Sequence, residues 1–188
     1  VIMKTIFDPG DKQIVFAPYF VEYANWAGNY HAETVVVPPN EANGFEPDPE
    51  ALKKALDPKV KAVIINNPNN PTGAIYSRET LEQIAAVLKD AEKEYGHPIY
   101  IITDEPYREL VYVDKEIVFI PDLYDNTIIA YSWSKSLSIP GDRLGYLAVS
   151  PKSDNVEEFM AAATVANRIS GDTNAPSMVQ LAVERCMD

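Results

Sequence analysis

Short apolar runs rich in β-branched residues alternate along the chain with segments whose apolar residues recur every three or four positions. The runs at residues 14–16, 34–37, 62–66, 99–104, 127–132 and 144–149 read as strands. Several are nearly all apolar, the pattern of strands buried on both faces. Leu81, Ile84, Ala85 and Leu88 keep one helical face, with Ser77 placed to cap it. Residues 50–56 fit a short helix after Pro49. Val156, Phe159, Met160 and Ala163 repeat the helical spacing, as do Met178, Leu181 and Ala182. Residues 3–7 read as the end of an amphipathic helix stopped by Asp8-Pro9-Gly10-Asp11. Strand–helix alternation of this kind predicts an α/β fold with a mostly parallel sheet.

Sheets of that class bind ligands outside the C-terminal ends of their strands. Unusual polar residues should therefore gather just after the apolar runs, and they do. One run ends in Ala17-Pro18-Tyr19-Phe20, another in Asn66-Asn67-Pro68-Asn69-Asn70-Pro71-Thr72-Gly73. A third ends in Thr103-Asp104-Glu105-Pro106-Tyr107 and a fourth in Ser132-Trp133-Ser134-Lys135.

Bulk properties narrow the partners. A length of 188 residues fits one domain. A net charge of −12 argues against nucleic acid and anionic membranes, and confines any phosphate site to local cations and backbone N–H groups. The single cysteine, Cys186, leaves no intramolecular disulfide and fits a reducing, cytoplasmic setting. With only two histidines beside it, no metal site of the Cys/His kind is expected, and His31 and His97 read as structural or surface residues. No apolar stretch is long enough for a membrane span, and the first residues lack the order of a signal peptide. The chain starts at Val1 inside an element, so it is expected to be a fragment of a longer protein.

Lys135 is the residue with the most suggestive surroundings. Alone it reads as a solvated surface lysine. Ser132 and Ser134 flank it, however, and Pro140-Gly141 forces a turn that could bring Arg143 back toward it. Two hydroxyls and a guanidinium suit a phosphate, and a lysine beside a phosphate suggests a tethered phosphorylated aldehyde. Asp104 reads as a helix cap or ion-pair partner, or as the carboxylate that keeps a cofactor's pyridine nitrogen protonated. Tyr107 is either a half-buried core tyrosine or a donor to a cofactor oxygen. Asn70 opens a strong turn signal. Phe20 is either core or a stacking ring.

Residues 132–145, with Ser132, Lys135, Arg143 and Gly145, resemble the lysine-attachment signature of the class I/II aminotransferases, the fold-type I pyridoxal 5′-phosphate (PLP) enzymes. Asn70-Pro71-Thr72-Gly73 and Asp104-Glu105-Pro106-Tyr107 match that family's other cofactor motifs, in order. Asp8-Pro9-Gly10-Asp11 followed by a strand and Ala17-Pro18-Tyr19-Phe20 is also similar to it. The resemblance implies a three-layer α/β/α major domain whose mostly parallel sheet carries one antiparallel strand. It implies that Lys135 is the Schiff-base lysine and proton carrier, and that Asp104 pairs with the pyridine nitrogen. Asn70 and Tyr107 would contact the 3′ oxygen, Ser132, Ser134 and Arg143 the phosphate, and Phe20 the ring.

The implied reaction is amino-group transfer between an amino acid and a 2-oxo acid, by a homodimer. Two features of the family are missing. One is an upstream Gly/Ser/Ala-rich phosphate-binding turn; the other is a downstream small domain whose arginine grips the substrate carboxylate. Arg168 and Arg185 match no such motif. The expectation is therefore that residues 1–188 form a PLP-binding major domain cut at both ends and inactive alone. The same motifs also serve C–S β-lyases and aminotransferase-like regulatory domains. A generic nucleotide-binding domain would need a Gly-x-Gly-x-x-Gly or P-loop sequence, and neither is present.

Overall fold

In a computed structural model of the chain, which describes residues 1–171 and 173–187, six strands form one sheet. The elements run α1 (Ile2–Ile6), β1 (Lys12–Phe16), α2 (Glu22–Gly28), β2 (Glu33–Val37), α3 (Pro49–Ala55), β3 (Val60–Asn66) and α4 (Arg78–Tyr95). They continue as β4 (Tyr100–Asp104), β5 (Thr127–Ser132), α5 (Trp133–Ser136), β6 (Gly145–Val149), α6 (Val156–Ile169) and α7 (Ser177–Glu184). The strand order is β2-β1-β3-β4-β5-β6. All neighbours are parallel except β5 and β6, which are antiparallel.

Alternation along the inner strands explains the layers. Ile14, Val63, Ile65 and Ile101 face α3 and α4, packing with Leu52, Leu81, Ile84 and Leu88. Val15, Ala62, Ile64 and Ile102 face the other way, onto Met3 and Phe7 at α1 and Tyr23 and Ala27 of α2. On that side Ile128 also meets Phe159 and Ala163 of α6. Helices thus cover both sheet faces, which is why the inner strands carry apolar residues at successive positions. The outer strands β2 and β6 are only partly buried.

α4 forms as its pattern predicts. The Ser77 side chain accepts the Thr80 N–H at its N-terminus, and Gly96 ends it in a left-handed conformation. α7 also forms, but the apolar residues that predict it stay out: Met178 is 83% and Leu181 61% exposed. α2 was not expected. Its buried pair Tyr23 and Ala27 has helical spacing, but the signal spans too few residues to read. Among the described residues, no helix is long and apolar enough to cross a membrane.

Candidate functional site

The parallel strands β1, β3, β4 and β5 end at one rim, where a cleft of about 1540 Å³ opens. Phe20, Asn70, Asp104 and Tyr107 all line it. So do Ser132, Ser134, Lys135 and Arg143. All eight cofactor-site candidates from the sequence therefore come to one place, although Phe20 and Arg143 lie 123 positions apart in sequence (143 − 20).

The loop after β3 is stiffened by its asparagines. Buried Asn66 donates from Nδ2 to the Asp104 backbone oxygen (2.9 Å) and accepts the Asn70 N–H at Oδ1 (2.7 Å). It therefore ties the end of β3 to the end of β4 and fixes where the turn begins. Asn69 accepts both the N–H and the hydroxyl of Thr72 at Oδ1. Asn67 accepts the Tyr76 N–H (3.0 Å). Each buried amide satisfies loop backbone that no ladder reaches, so the turn can hold Asn70 at the cleft.

Asp104 is the last residue of β4. Its Oδ2 accepts the Tyr23 phenol proton. Burial raises the Asp104 carboxyl above the ordinary range, and the Tyr23 hydrogen bond opposes that shift. The next residue, Glu105, is 3% exposed; burial raises it too, against the Thr103 hydroxyl and the Arg108 guanidinium, which lower it. Asp104 is thus no helix cap and has no cationic partner within ion-pair distance among the described residues, whereas Glu105 beside it has one.

Lys135 sits on the single-turn helix α5 and is exposed toward the cleft, its Nζ 5.7 Å from the centre of the Tyr107 ring. The segment Pro140–Asp142 makes a 3₁₀ turn, and Arg143 follows with φ 53°. That turn returns the arginine to the cleft, with Nη1 donating to the Pro140 carbonyl (2.8 Å). Gly145 opens β6 opposite Ser132. A Cβ there would run into the Tyr131 backbone oxygen, so only glycine lets β6 close on β5 with Arg143 and Ser132 on one side of the cleft. Phe20 is 39% exposed and meets Tyr23 edge-on at 5.7 Å, with Trp26 at 6.0 Å. Among the described residues no cluster of His, Cys, Asp and Glu could hold a metal.

The sequence model of the family "Aminotransferase class I and II" matches residues 1–188. The chain belongs to the class I and II aminotransferases. It is 35% identical over 179 residues to the aspartate/prephenate aminotransferase of Thermus thermophilus, covering 93% of this chain and 43% of that protein. It is 38% identical to the aspartate aminotransferase of Geobacillus stearothermophilus, over 78% of this chain and 37% of that protein. The fold agrees with solved structures. An aminotransferase from Eubacterium rectale superposes with a TM-score of 0.91 at 41% identity, over 95% of this chain and 45% of that one. The chain thus spans under half the length of these aminotransferases.

Three residues of this aminotransferase-family site lie outside the motifs read for chemistry or had no role assigned. Tyr23 binds Asp104, Asn66 holds two loops together, and Gly145 sets the β5–β6 contact. Asn66 and Gly145 stood inside quoted motifs, so their residue types were visible. Tyr23 carried no signal beyond its spacing from Ala27.

Proposed function

We propose that this chain is the PLP-binding part of a transaminase that moves an amino group between an amino acid and a 2-oxo acid. The observation that carries the reading is the gathering, in one cleft, of the exposed amine of Lys135 and the partly buried carboxylate of Asp104 with two serine hydroxyls and Arg143. That donor set fits the cofactor. Ser132, Ser134 and Arg143 would hold its phosphate through charge-assisted hydrogen bonds. Asp104, a carboxylate with no cation beside it, would take the protonated pyridine nitrogen. Asn70 and Tyr107 would contact the 3′ oxygen, and Phe20 would flank the ring.

When bound, the cofactor supplies an electron sink that acidifies the α-proton of an amino acid. Lys135 would hold it covalently, and its freed Nζ would take the proton from the substrate α-carbon, hold it and return it. The Tyr107 ring lies beside that amine, its centre 5.7 Å from Nζ. Working as a homodimer in the cytoplasm is part of the proposal; sedimentation of the full-length protein as a monomer would remove the first half.

Relatives named as aspartate aminotransferases make aspartate the first donor to try. Full-length protein given PLP, aspartate and 2-oxoglutarate should form glutamate. Pyruvate release from cystathionine without glutamate formation would assign it to the C–S lyases instead.

A further inference from the structure

Tyr23 is 4% exposed, packed beneath the cleft between β1, the end of β4 and the ring of Phe20. Its backbone oxygen accepts the side-chain amide of the fully buried Gln13 (2.8 Å), which fixes the start of α2 against β1. Its hydroxyl reaches the Asp104 carboxylate, a contact between residues 81 positions apart. Among the described residues it is the only group that hydrogen-bonds that carboxylate, and Oδ1 accepts nothing. Burial, with the Asp104 charge beside it, pushes the Tyr23 phenol far above its ordinary value. It therefore stays protonated at any working pH, and its one proton always goes to Oδ2.

The other charged or titratable groups around Asp104 make no comparable contact. Glu105 follows it in the chain and turns to Thr103 and Arg108. Tyr107 and Lys135 line the cleft with it, and Tyr76 acts on the Tyr23 phenol only through its charge.

We propose that Tyr23 is a positioning residue for the cofactor site: by donating to Oδ2 of Asp104 it fixes the carboxylate and leaves Oδ1 as the atom offered to a ligand's ring nitrogen. The inference rests on the PLP reading above. The hydrogen bond has a second consequence. It favours the charged carboxylate against the burial that favours the neutral acid, and only the charged form keeps a pyridine nitrogen protonated. Gln13 and the Phe20–Tyr23–Trp26 rings hold the phenol in place, so the donor is ready before any ligand arrives.

Tyr23→Phe tests this in the full-length protein, because it keeps the ring and removes only the donor. In the cofactor-free protein, carbon-13 NMR of the Asp104 carboxyl, assigned with Asp104→Asn, should show its titration midpoint moved upward. In the loaded protein, the PLP dissociation constant should rise and kcat should fall, each by roughly tenfold or more, with KM changed less; that is the size of one hydrogen bond to a charged group. With a cofactor analogue whose ring nitrogen is replaced by carbon, wild type and Tyr23→Phe should bind alike. Tyr23→His, which returns a ring N–H donor, should recover part of the loss, and it carries the same test if the Phe variant does not fold. An unmoved Asp104 titration, or an equal loss with the nitrogen-free analogue, would overturn the proposal. Wild-type protein that takes up no PLP would overturn the cofactor reading instead, while the carbon-13 measurement would still decide whether Tyr23 controls Asp104.

Discussion

α4 and α7 are built from the same kind of pattern and end in opposite situations. In α4, Leu81, Ile84 and Leu88 are buried against β3 and β4. In α7, Met178 and Leu181 project from the surface, and Val183 alone is buried. Apolar periodicity tells a chain where to coil. It does not say what covers the apolar side, because that depends on elements far off in sequence. The rim of the cleft belongs with α4: its loops are tied by Asn66, Asn67 and Asn69, and the strands beneath it are closed on both faces. The loop that carries Asn70 thus stands on tied, covered structure, while the apolar surface of α6 and α7 stays open.

The largest effect should come from the rim without touching stability. Lys135→Ala removes an exposed side chain, so thermal unfolding should be unchanged. Loss of the anchor and proton carrier should cut transaminase activity by roughly 10²–10⁴-fold or more, read as glutamate formed per second. A lower unfolding temperature alongside the loss would mean that Lys135 is also structural.

The two helices give the next contrast. Leu88→Ala should cost about 2–5 kcal/mol, because Leu88 is fully buried and leaves a cavity. Leu181→Ala should change stability by no more than about 0.5 kcal/mol. Denaturant unfolding of both variants measures the difference; equal losses would erase the distinction between α4 and α7. Gly145→Ala should fall between them, at about 1–3 kcal/mol, because its Cβ meets the Tyr131 backbone oxygen. It should also lower PLP affinity by moving Arg143.

The smallest effect has the most informative sign. Burial raises the Asp104 carboxyl in the folded protein, so its charge costs stability above the ordinary carboxylate range and the cost disappears as pH falls through that range. Asp104→Asn keeps an acceptor for Tyr23 and removes the charge. The cofactor-free variant should therefore melt slightly higher than wild type near neutral pH. The gap should close on acidification. A variant less stable at neutral pH would show that the charge is compensated by contacts other than Tyr23.

Most of the architecture was legible because the inner strands are short, apolar and bounded by turn residues. β5 has the predicted limits, and β4 and β6 each begin one residue later than expected. The cleft was legible for a related reason: a parallel sheet delivers its strand ends to one rim, so residues quoted from four separate loops had to meet. Pairing between side chains was not legible. The Tyr23–Asp104 contact joins residues 81 apart, and Asn66 reaches Asp104 across 38; no local spacing encodes either. α2 was missed because its apolar face is little more than one pair, Tyr23 and Ala27. The exposure of α7 was hidden for the reason that separates it from α4.

The account stands on Lys135 as the residue that holds the cofactor, and one measurement tests that directly. Full-length protein is mixed with PLP, the bound cofactor is followed by its visible absorption, borohydride is added, and the modified peptide is mapped. The expected result is a visible band lost on reduction, with the cofactor fixed on the peptide containing Lys135 and absent from Lys135→Ala. No band, or a cofactor fixed on any other lysine, would contradict the account.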